Sequence, residues 1–429
     1  MLSEEKNRLL TEVGPGTPMG DLLRRYWHPI AGESEFESKR IKRIRLFGED
    51  LVLFKALNGR FGLITRRCAH RGSDLSFGIV EEDGLRCGYH GWQYDREGVC
   101  THRPFEELAA RASAPRRTVQ IPGYPVKSKG GMLWAYLGPL PAPELPDWET
   151  FSWPNCFAQV VIAEIPCNWL QCQENTVDPV HFEWMHNNGP QRRAGNLGPY
   201  SPRTLKMTVE DTEYGLLSRR YREGTDESTP LWSVGRAVLW PNGWYFGHHF
   251  EWKVPIDDRN TLFITWSVLH VPRECEPYVQ QSIPTWHAPI KDADGEWITS
   301  HVGNQDIVAW VSQGTIADRT NEMLGASDMG VVTLRRRLLE DLDRIGEGQD
   351  PRGVIRDPAR NVRIPLPCIA REDLMNGLPK EAMERHPVMG PFLRDYYSMA
   401  GQPDRVRLEF ERAMGVRQSS FEVHSFVPQ

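Results

Sequence analysis

Residues 68 to 90 read CAHRGSDLSFGIVEEDGLRCGYH, and this stretch restricts most tightly what the chain can become. Cys68 and His70 form a C-x-H pair; after sixteen intervening residues, Cys87 and His90 form a C-x-x-H pair. Two thiolates and two imidazoles on two tight loops make a four-ligand metal site, and these ligands suit zinc or an iron–sulfur centre. Each loop carries one Cys and one His. A [2Fe–2S] cluster with two Cys on one iron and two His on the other needs that paired presentation. A zinc knuckle built on the same four ligands is the rival reading. Gly88 and Gly91 beside the second pair allow backbone amides to approach sulfur, where hydrogen bonds tune a cluster's potential.

Such a site requires a stiff scaffold, and the flanking sequence supplies strands. Ile44, Leu46 and Phe47 precede the turn Gly48-Glu49-Asp50 and the run Leu51 to Phe54. Asn58-Gly59 is a hairpin signal, and the return strand Phe61 to Ile64 leads into the first loop. Trp92 to Tyr94, the turn Asp95 to Gly98, and Met132 to Leu137 continue the all-β pattern. Upstream, residues 14 to 30 begin with turn formers and continue as a short amphipathic helix. Residues 138 to 154 are proline-rich and mark a boundary. The expected organisation is an N-terminal helical segment over 1–40, an all-β cluster domain over 41–150, and a second domain over 151–429.

A length of 429 residues fits two or three domains. A net charge of −6 offers no basic field, so nucleic acid and anionic membrane surfaces are not expected partners. No stretch approaches 18 uninterrupted apolar residues, and MLSEEKNRLL at the start lacks the apolar region of a secretory signal. The eight Cys are spread too widely for a disulfide framework. A reducing, cytoplasmic location is expected.

A second constellation lies in CNWLQCQENTVDPVHFEWMH, residues 167 to 186, where Asp178, His181 and His186 carry the chemistry. Two neutral imidazoles on one element and a carboxylate from elsewhere make the facial triad of non-haem Fe(II) oxygenases, leaving the opposite face of the iron open. On a regular helix, about 100° per residue leaves His181 and His186 about 140° apart. A π-type turn brings such an i,i+5 pair together, so a distorted turn is expected between Phe182 and Met185. Asp306, in HVGNQDIVAW, is the expected third ligand because it sits among apolar neighbours at the start of a helical pattern. Asp318 and Glu322 are weaker alternatives.

The cluster motif together with E-N-x-x-D-x-x-H-x-x-x-x-H, Glu174 to His186, resembles the oxygenase α subunit of Rieske non-haem iron oxygenases. GPGTPMGDLLRRYW, NQDIVAWVSQGTIADRT and LGASDMG are similar to the phthalate dioxygenase branch, which includes aromatic O-demethylases. This resemblance implies an α+β chain: an N-terminal all-β Rieske [2Fe–2S] domain, then a catalytic domain with a large antiparallel sheet flanked by helices. It implies that Cys68 and Cys87 hold one cluster iron and His70 and His90 the other. His181, His186 and Asp306 would hold a mononuclear Fe(II) that uses O2. Asp178 would bridge by hydrogen bonds from the cluster of a neighbouring subunit, with Asn175 near the iron. Electrons would come from NAD(P)H through a separate reductase or ferredoxin, and the assembly would be a trimer, possibly stacked into a hexamer.

Downstream, Leu205 to Val209, Gly215 to Tyr221, Trp232 to Trp240, Trp244 to Val254 and Leu262 to Val271 read as strands, with the iron-bearing segment laid over their apolar face. An amphipathic helix is expected over Met329 to Ile345, loop over 349 to 370, and short helices over 388 to 399 and 404 to 414. An aromatic acid would need a guanidinium to pair with its carboxylate. Arg236, a charge within the apolar run WSVGRAVLW, is the first candidate, followed by Arg203 and Lys206, with Arg220 and Lys253 as further options. Trp184, Trp244 and Phe246 are candidate walls. The expected reaction is O-demethylation of a methoxylated aromatic acid. The alternatives are cis-dihydroxylation of a phthalate-like diacid, an electron carrier without oxygenase activity, and a zinc-stabilised binding protein.

Overall fold

The computed structural model describes residues 1–105, 118–197, 202–369 and 397–415. Glu4–Thr11, within the segment expected to be helical, forms a helix capped by the Ser3 side chain. Thr17 caps a second short helix, Pro18–Leu23, with Pro18 at its first position, where a missing N–H costs nothing. The helix expected to run on to residue 30 stops there, and Trp27–Gly32 is instead a strand paired antiparallel with Met132–Tyr136. It lies at the edge of a three-stranded sheet and its register shifts between Pro29 and Ala31, as an edge proline allows.

Two small antiparallel sheets follow. Ile41–Leu46, Glu49–Lys55, Phe61–Thr65 and Gly123–Tyr124 make one; Ile79–Glu81, Gly84–Arg86, Gln93–Tyr94 and Cys100–His102 make the other. Val52, Phe54, Ile64, Leu75, Leu85 and Tyr94 pack between them as a separate small core that includes Cys68 and Cys87.

The larger sheet has eight strands, built on the long antiparallel pair Cys156–Ile165 and Asn260–His270. It is not wholly antiparallel: Thr285–His287 adds a parallel strand at one edge. Two expected strands are broken. Pro230 starts a helical turn, Pro230–Ser233, and Gly235 adopts a φ of +81°, so the strand begins only at Arg236. Gly247, at φ +60°, divides Gly243–Phe246 from His249–Asp257; a Cβ there would lie 2.4 Å from the Ile369 carbonyl oxygen.

One face of this sheet is apolar and carries Tyr245, Phe250, Trp252 and Trp266. These pack against Trp134 of the N-terminal domain, 5.0 Å from Trp252, and against Phe151 at the domain boundary, 5.0 Å from Trp266. The opposite face carries Arg220, Arg236, His249, Glu251 and Lys253 by strand alternation. The segment that carries His181 and His186 lies over this charged face and not over the apolar one. Helices Val302–Ser312 and Met329–Gly346 flank the segment. Asp404–Ala413 is helical as expected, whereas most of the expected helix over 388 to 399 lies outside the described residues.

Candidate active site and metal centres

The first candidate site is formed by two loops at the edge of the small sheets. The Cys87–Trp92 loop joins Gly84–Arg86 to Gln93–Tyr94 and is closed by Cys87 N–H donating to the Trp92 carbonyl (2.8 Å). Gly91, at φ +75°, makes the reversal that a Cβ would strain, and its N–H donates to the Cys87 carbonyl rather than to a sulfur. The other loop is closed by Cys68 N–H donating to the Ser73 carbonyl (2.9 Å) and by the Arg67–Asp74 bridge. Both thiols are buried. The imidazoles of His70 and His90 lie 4.5 Å apart, with His70 stacked on Trp92. The Tyr94 hydroxyl lies 3.2 Å from Cys68 Sγ and accepts from Ala69 N–H. Arg86 donates to the Gly91 carbonyl and to Gln93 Oε1, tying the second loop to its sheet.

The second candidate site is assembled from distant parts of the chain. Helix Trp169–Thr176 is capped by Asn168, whose amide also donates to the Thr11 and Asp258 carbonyls. Glu174 fastens that helix: Arg319 grips it with two nitrogens (2.9 and 2.8 Å) and Arg335 with a third (2.6 Å). The helix ends at Val177, and the Asn175 carbonyl accepts from Asp178 N–H. Asp178 Oδ1 then accepts from Val180 N–H, opening the turn that carries His181–Glu183. Trp184–Asn188 follows as π-helix. The expected distortion is therefore present, centred slightly later than Phe182–Met185, and it turns His186 toward His181, with ring centroids 5.4 Å apart.

Asp306 enters from helix Val302–Ser312. Its Oδ1 lies 3.3 Å from His186 Nε2 and 3.6 Å from His181 Nε2, and one ligand atom from each residue fits within a 4.8 Å cluster. Glu322 is instead bound to Arg335 and Asp318 caps a turn at Thr320, so neither alternative carboxylate joins the cluster. His186 Nδ1 donates to Gln305 Oε1 (2.9 Å), which leaves Nε2 with its lone pair toward Asp306. Gln305 gave no signal in the sequence beyond its place beside Asp306. Asp178 Oδ2 lies 3.8 Å from His181 Nδ1.

The second site fits a single metal ion, and the paired thiols and imidazoles of the first are the donor set of a two-iron cluster. Among the buried polar atoms without a hydrogen-bond partner are His70 Nδ1 in the first site and His181 Nδ1, His186 Nε2 and Asp306 Oδ1 in the second. Such atoms are costly to bury unless something satisfies them. Burial, and then the charges of His186 and Arg220, hold His181 well below its ordinary pKa, keeping it the neutral imidazole a metal needs. Burial also opposes charge on His186, but Asp306 more than offsets this and raises it. A divalent cation among these three residues would take the place of that proton.

A cationic cluster adjoins the second site. Arg236 lies over the rings of Phe182 (4.5 Å) and Phe246 (4.3 Å), and burial, with the charge of Arg222, lowers it to about 9. Arg220 and Arg222 stand on the neighbouring strand, Gly215–Arg222. Arg203 and Lys206 remain outside this cluster, exposed and paired with Glu223 and Glu227. Lys253 is fully buried but committed to Glu251 (2.7 Å). Trp244 and Phe246 stack 5.2 Å apart beside Arg236, whereas Trp184 is half exposed.

A small all-β domain with a two-Cys, two-His edge, joined to a sheet bearing a His/His/Asp cluster, defines a chain built for two metal centres of different chemistry. Residues 26–117 match the Rieske [2Fe-2S] domain, and residues 291–365 match the LigXa C-terminal domain like family. The chain is 55% identical over 420 residues to the 5,5'-dehydrodivanillate O-demethylase oxygenase subunit of Sphingobium sp. (strain NBRC 103272 / SYK-6), covering 98% of this chain and 99% of that one. It is 33% identical to the phthalate 4,5-dioxygenase oxygenase subunit of Pseudomonas putida, over 82% and 89% of the two chains. In fold it is similar to the terminal oxygenase of carbazole 1,9a-dioxygenase from Nocardioides aromaticivorans IC177, with a TM-score of 0.53, 18% identity, and coverage of 79% and 96%. The chain belongs to the Rieske non-haem iron oxygenases and is a terminal oxygenase of that family. It uses a Rieske [2Fe–2S] cluster, mononuclear iron and O2. Among the described residues, no helix is long and apolar enough to cross a membrane.

Proposed function

We propose that this chain is the oxygenase subunit of an O-demethylase for a methoxylated, lignin-derived aromatic acid. The observation that carries the reading is the adjacency of the His181–His186–Asp306 cluster to a guanidinium, Arg236, lodged between Phe182 and Phe246. An aromatic acid offers a ring to such walls and a carboxylate to such a cation. The relative that is 55% identical over nearly the full length is named for O-demethylation, which favours that outcome over cis-dihydroxylation.

In this reading Cys68, Cys87, His70 and His90 hold the cluster, and His181, His186 and Asp306 hold the iron. The iron when bound supplies O2 activation and oxidising power. The protein's part is positional. Gln305 fixes the tautomer of His186, and the Phe182 and Phe246 rings keep water from the reacting end. Asp178, half-exposed beside His181, bridges by hydrogen bonds between the cluster histidine of a neighbouring subunit in a trimer and an iron-holding imidazole, and Asn175 sits one turn before it. A separate reductase or ferredoxin feeds the cluster. The net change is ArOCH3 + O2 + 2e⁻ + 2H⁺ → ArOCH2OH + H2O, and the hemiacetal then releases formaldehyde and the phenol.

Turnover of the reconstituted holoenzyme with 5,5'-dehydrodivanillate and with phthalate tests this. Formaldehyde in step with substrate loss is expected from the first. A cis-diol from the second, without formaldehyde from the first, would overturn the proposal in favour of dihydroxylation.

A further inference from the structure

Strand Gly215–Arg222 sends Ser218, Arg220 and Arg222 to one face, and Ser218 stands opposite Arg236 across the ladder. Arg220 is therefore the diagonal neighbour of Arg236 on the face beneath the iron-bearing segment. It is only 2% exposed. Its Nη1 donates to the Pro179 carbonyl, while Nε and Nη2 are buried without a hydrogen-bond partner. Arg236 Nε likewise has no hydrogen-bond partner, and Arg222 Nε has only the longer ion pair to Glu183. The carboxylate beside them, Glu183, accepts from Thr204 N–H and hydroxyl and lies 3.5 Å from Arg222. Burial, reinforced by the charges of Arg236 and Arg222 and only partly opposed by Glu183 and Asp178, depresses Arg220 far below an ordinary arginine.

The same chain shows how it handles a buried arginine that only braces the fold. Arg319, 1% exposed, spends its nitrogens on both Glu174 oxygens, Asn7 and the Ala317 carbonyl. Neither Arg319 nor Arg335 has an unpartnered buried nitrogen among the described residues. Arg25, Arg66 and Arg337 each leave only Nε without a hydrogen bond, whereas Arg220, beside the His181–His186 segment, leaves two nitrogens that an anionic ligand would complete. A buried guanidinium without a counter-charge is costly, and a carboxylate with two parallel acceptor oxygens is the group that relieves it best.

Position adds a second role. Pro179 lies between Asp178 and His181, so Arg220 grips the backbone of the segment that carries the electron-bridging carboxylate and an iron-binding imidazole. The ring of Phe182, close by in the chain, lies against both Arg220 (5.4 Å) and Arg236 (4.5 Å). We propose that Arg220 is a positioning residue: it completes the carboxylate site with Arg236 and ties the occupancy of that site to the Asp178–His181 segment. This rests on the aromatic-acid reading above and deepens it.

The test measures affinity of the holoenzyme by calorimetry for 5,5'-dehydrodivanillate and for the same compound with its carboxylates esterified. Arg236→Gln and Arg220→Gln are each expected to weaken the acid by about 10- to 100-fold and the ester by no more than about threefold. Arg220→Lys, which keeps the charge but loses the fork, is expected to fall between. At saturating acid, Arg220→Gln alone should divert NADH electrons to H2O2 and slow re-oxidation of the reduced cluster, while Arg236→Gln restores coupling once saturated. An Arg220→Gln protein that loses acid and ester equally, or neither, overturns the inference and leaves the aromatic-acid reading intact provided Arg236→Gln still discriminates. If Arg236→Gln also fails to discriminate, both fall. Should Arg220→Gln not fold, Arg220→Lys read with the same two ligands decides, since a bracing role moves both affinities together.

Discussion

The two metal centres of this chain are built on opposite principles. The proposed ligands of the first lie within one stretch, Cys68 to His90, on loops closed by backbone hydrogen bonds and a positive-φ glycine. Those proposed for the second lie on helical segments far apart in sequence and meet where those segments pack against each other. A local site depends on turn chemistry; a non-local one depends on the core that positions its helices. The first should therefore survive damage to the second, while the second should be sensitive to contacts well away from its ligands.

Removing His186 or Asp306 gives the largest effect that separates them. His186→Ala is expected to abolish oxygenation and lower iron from about three to about two per chain, with the visible Rieske spectrum intact. A bleached cluster in that variant would break the comparison, because the two centres would then depend on each other within one chain.

Glu174→Gln comes next. It leaves Arg319 and Arg335 buried around a neutral amide, and losing one partner of a buried ion pair costs about 3–5 kcal/mol. Thermal denaturation should show the catalytic domain melting earlier while the cluster spectrum at low temperature is unchanged. The pH dependence has a definite sign. Arg319 and Arg335 hold Glu174 below its ordinary value against the opposing effect of burial, and Lys253 and His249 hold Glu251 at about 2. Both carboxylates are more acidic folded than unfolded, so their stabilisation is complete above the unfolded value of about 4.3 and is lost as pH falls toward the folded one. Denaturant midpoints read by tryptophan fluorescence should fall between pH 5 and pH 3, and less so in Glu174→Gln. An equal fall in the variant would remove Glu174 as a source of that dependence.

Gln305→Leu sharpens the contrast on a smaller scale. Without the acceptor for His186 Nδ1–H, affinity for Fe(II) should drop about 10- to 100-fold, measured by metal titration of the iron-depleted site. Tyr94→Phe is the smallest. Loss of its hydroxyl beside Cys68 Sγ should lower the cluster's reduction potential by on the order of tens of millivolts, leaving mononuclear iron content untouched.

The sequence alone determined the features whose cause is local. The Cys/His pairs, the Asn58-Gly59 turn and the long helix from Met329 depend on neighbours a few residues away, and each lies where the spacing put it. The five-residue interval of His181 and His186 required a distorted helix, and a π-helix is there. Misreadings arose where a single residue altered the path, as at Pro230, Gly235 and Gly247 in runs whose composition otherwise looked like continuous strand. Asp306 stood out in the sequence by its apolar setting, but only the tertiary structure decided that it meets the two imidazoles, that Gln305 braces one of them, and that Arg236 and Arg220 face the His181–His186 segment while Arg203 and Lys206 face water. Those outcomes turn on strand register and helix packing. A charged residue reads the same in sequence on either face of a sheet, and a shift of one position exchanges the faces.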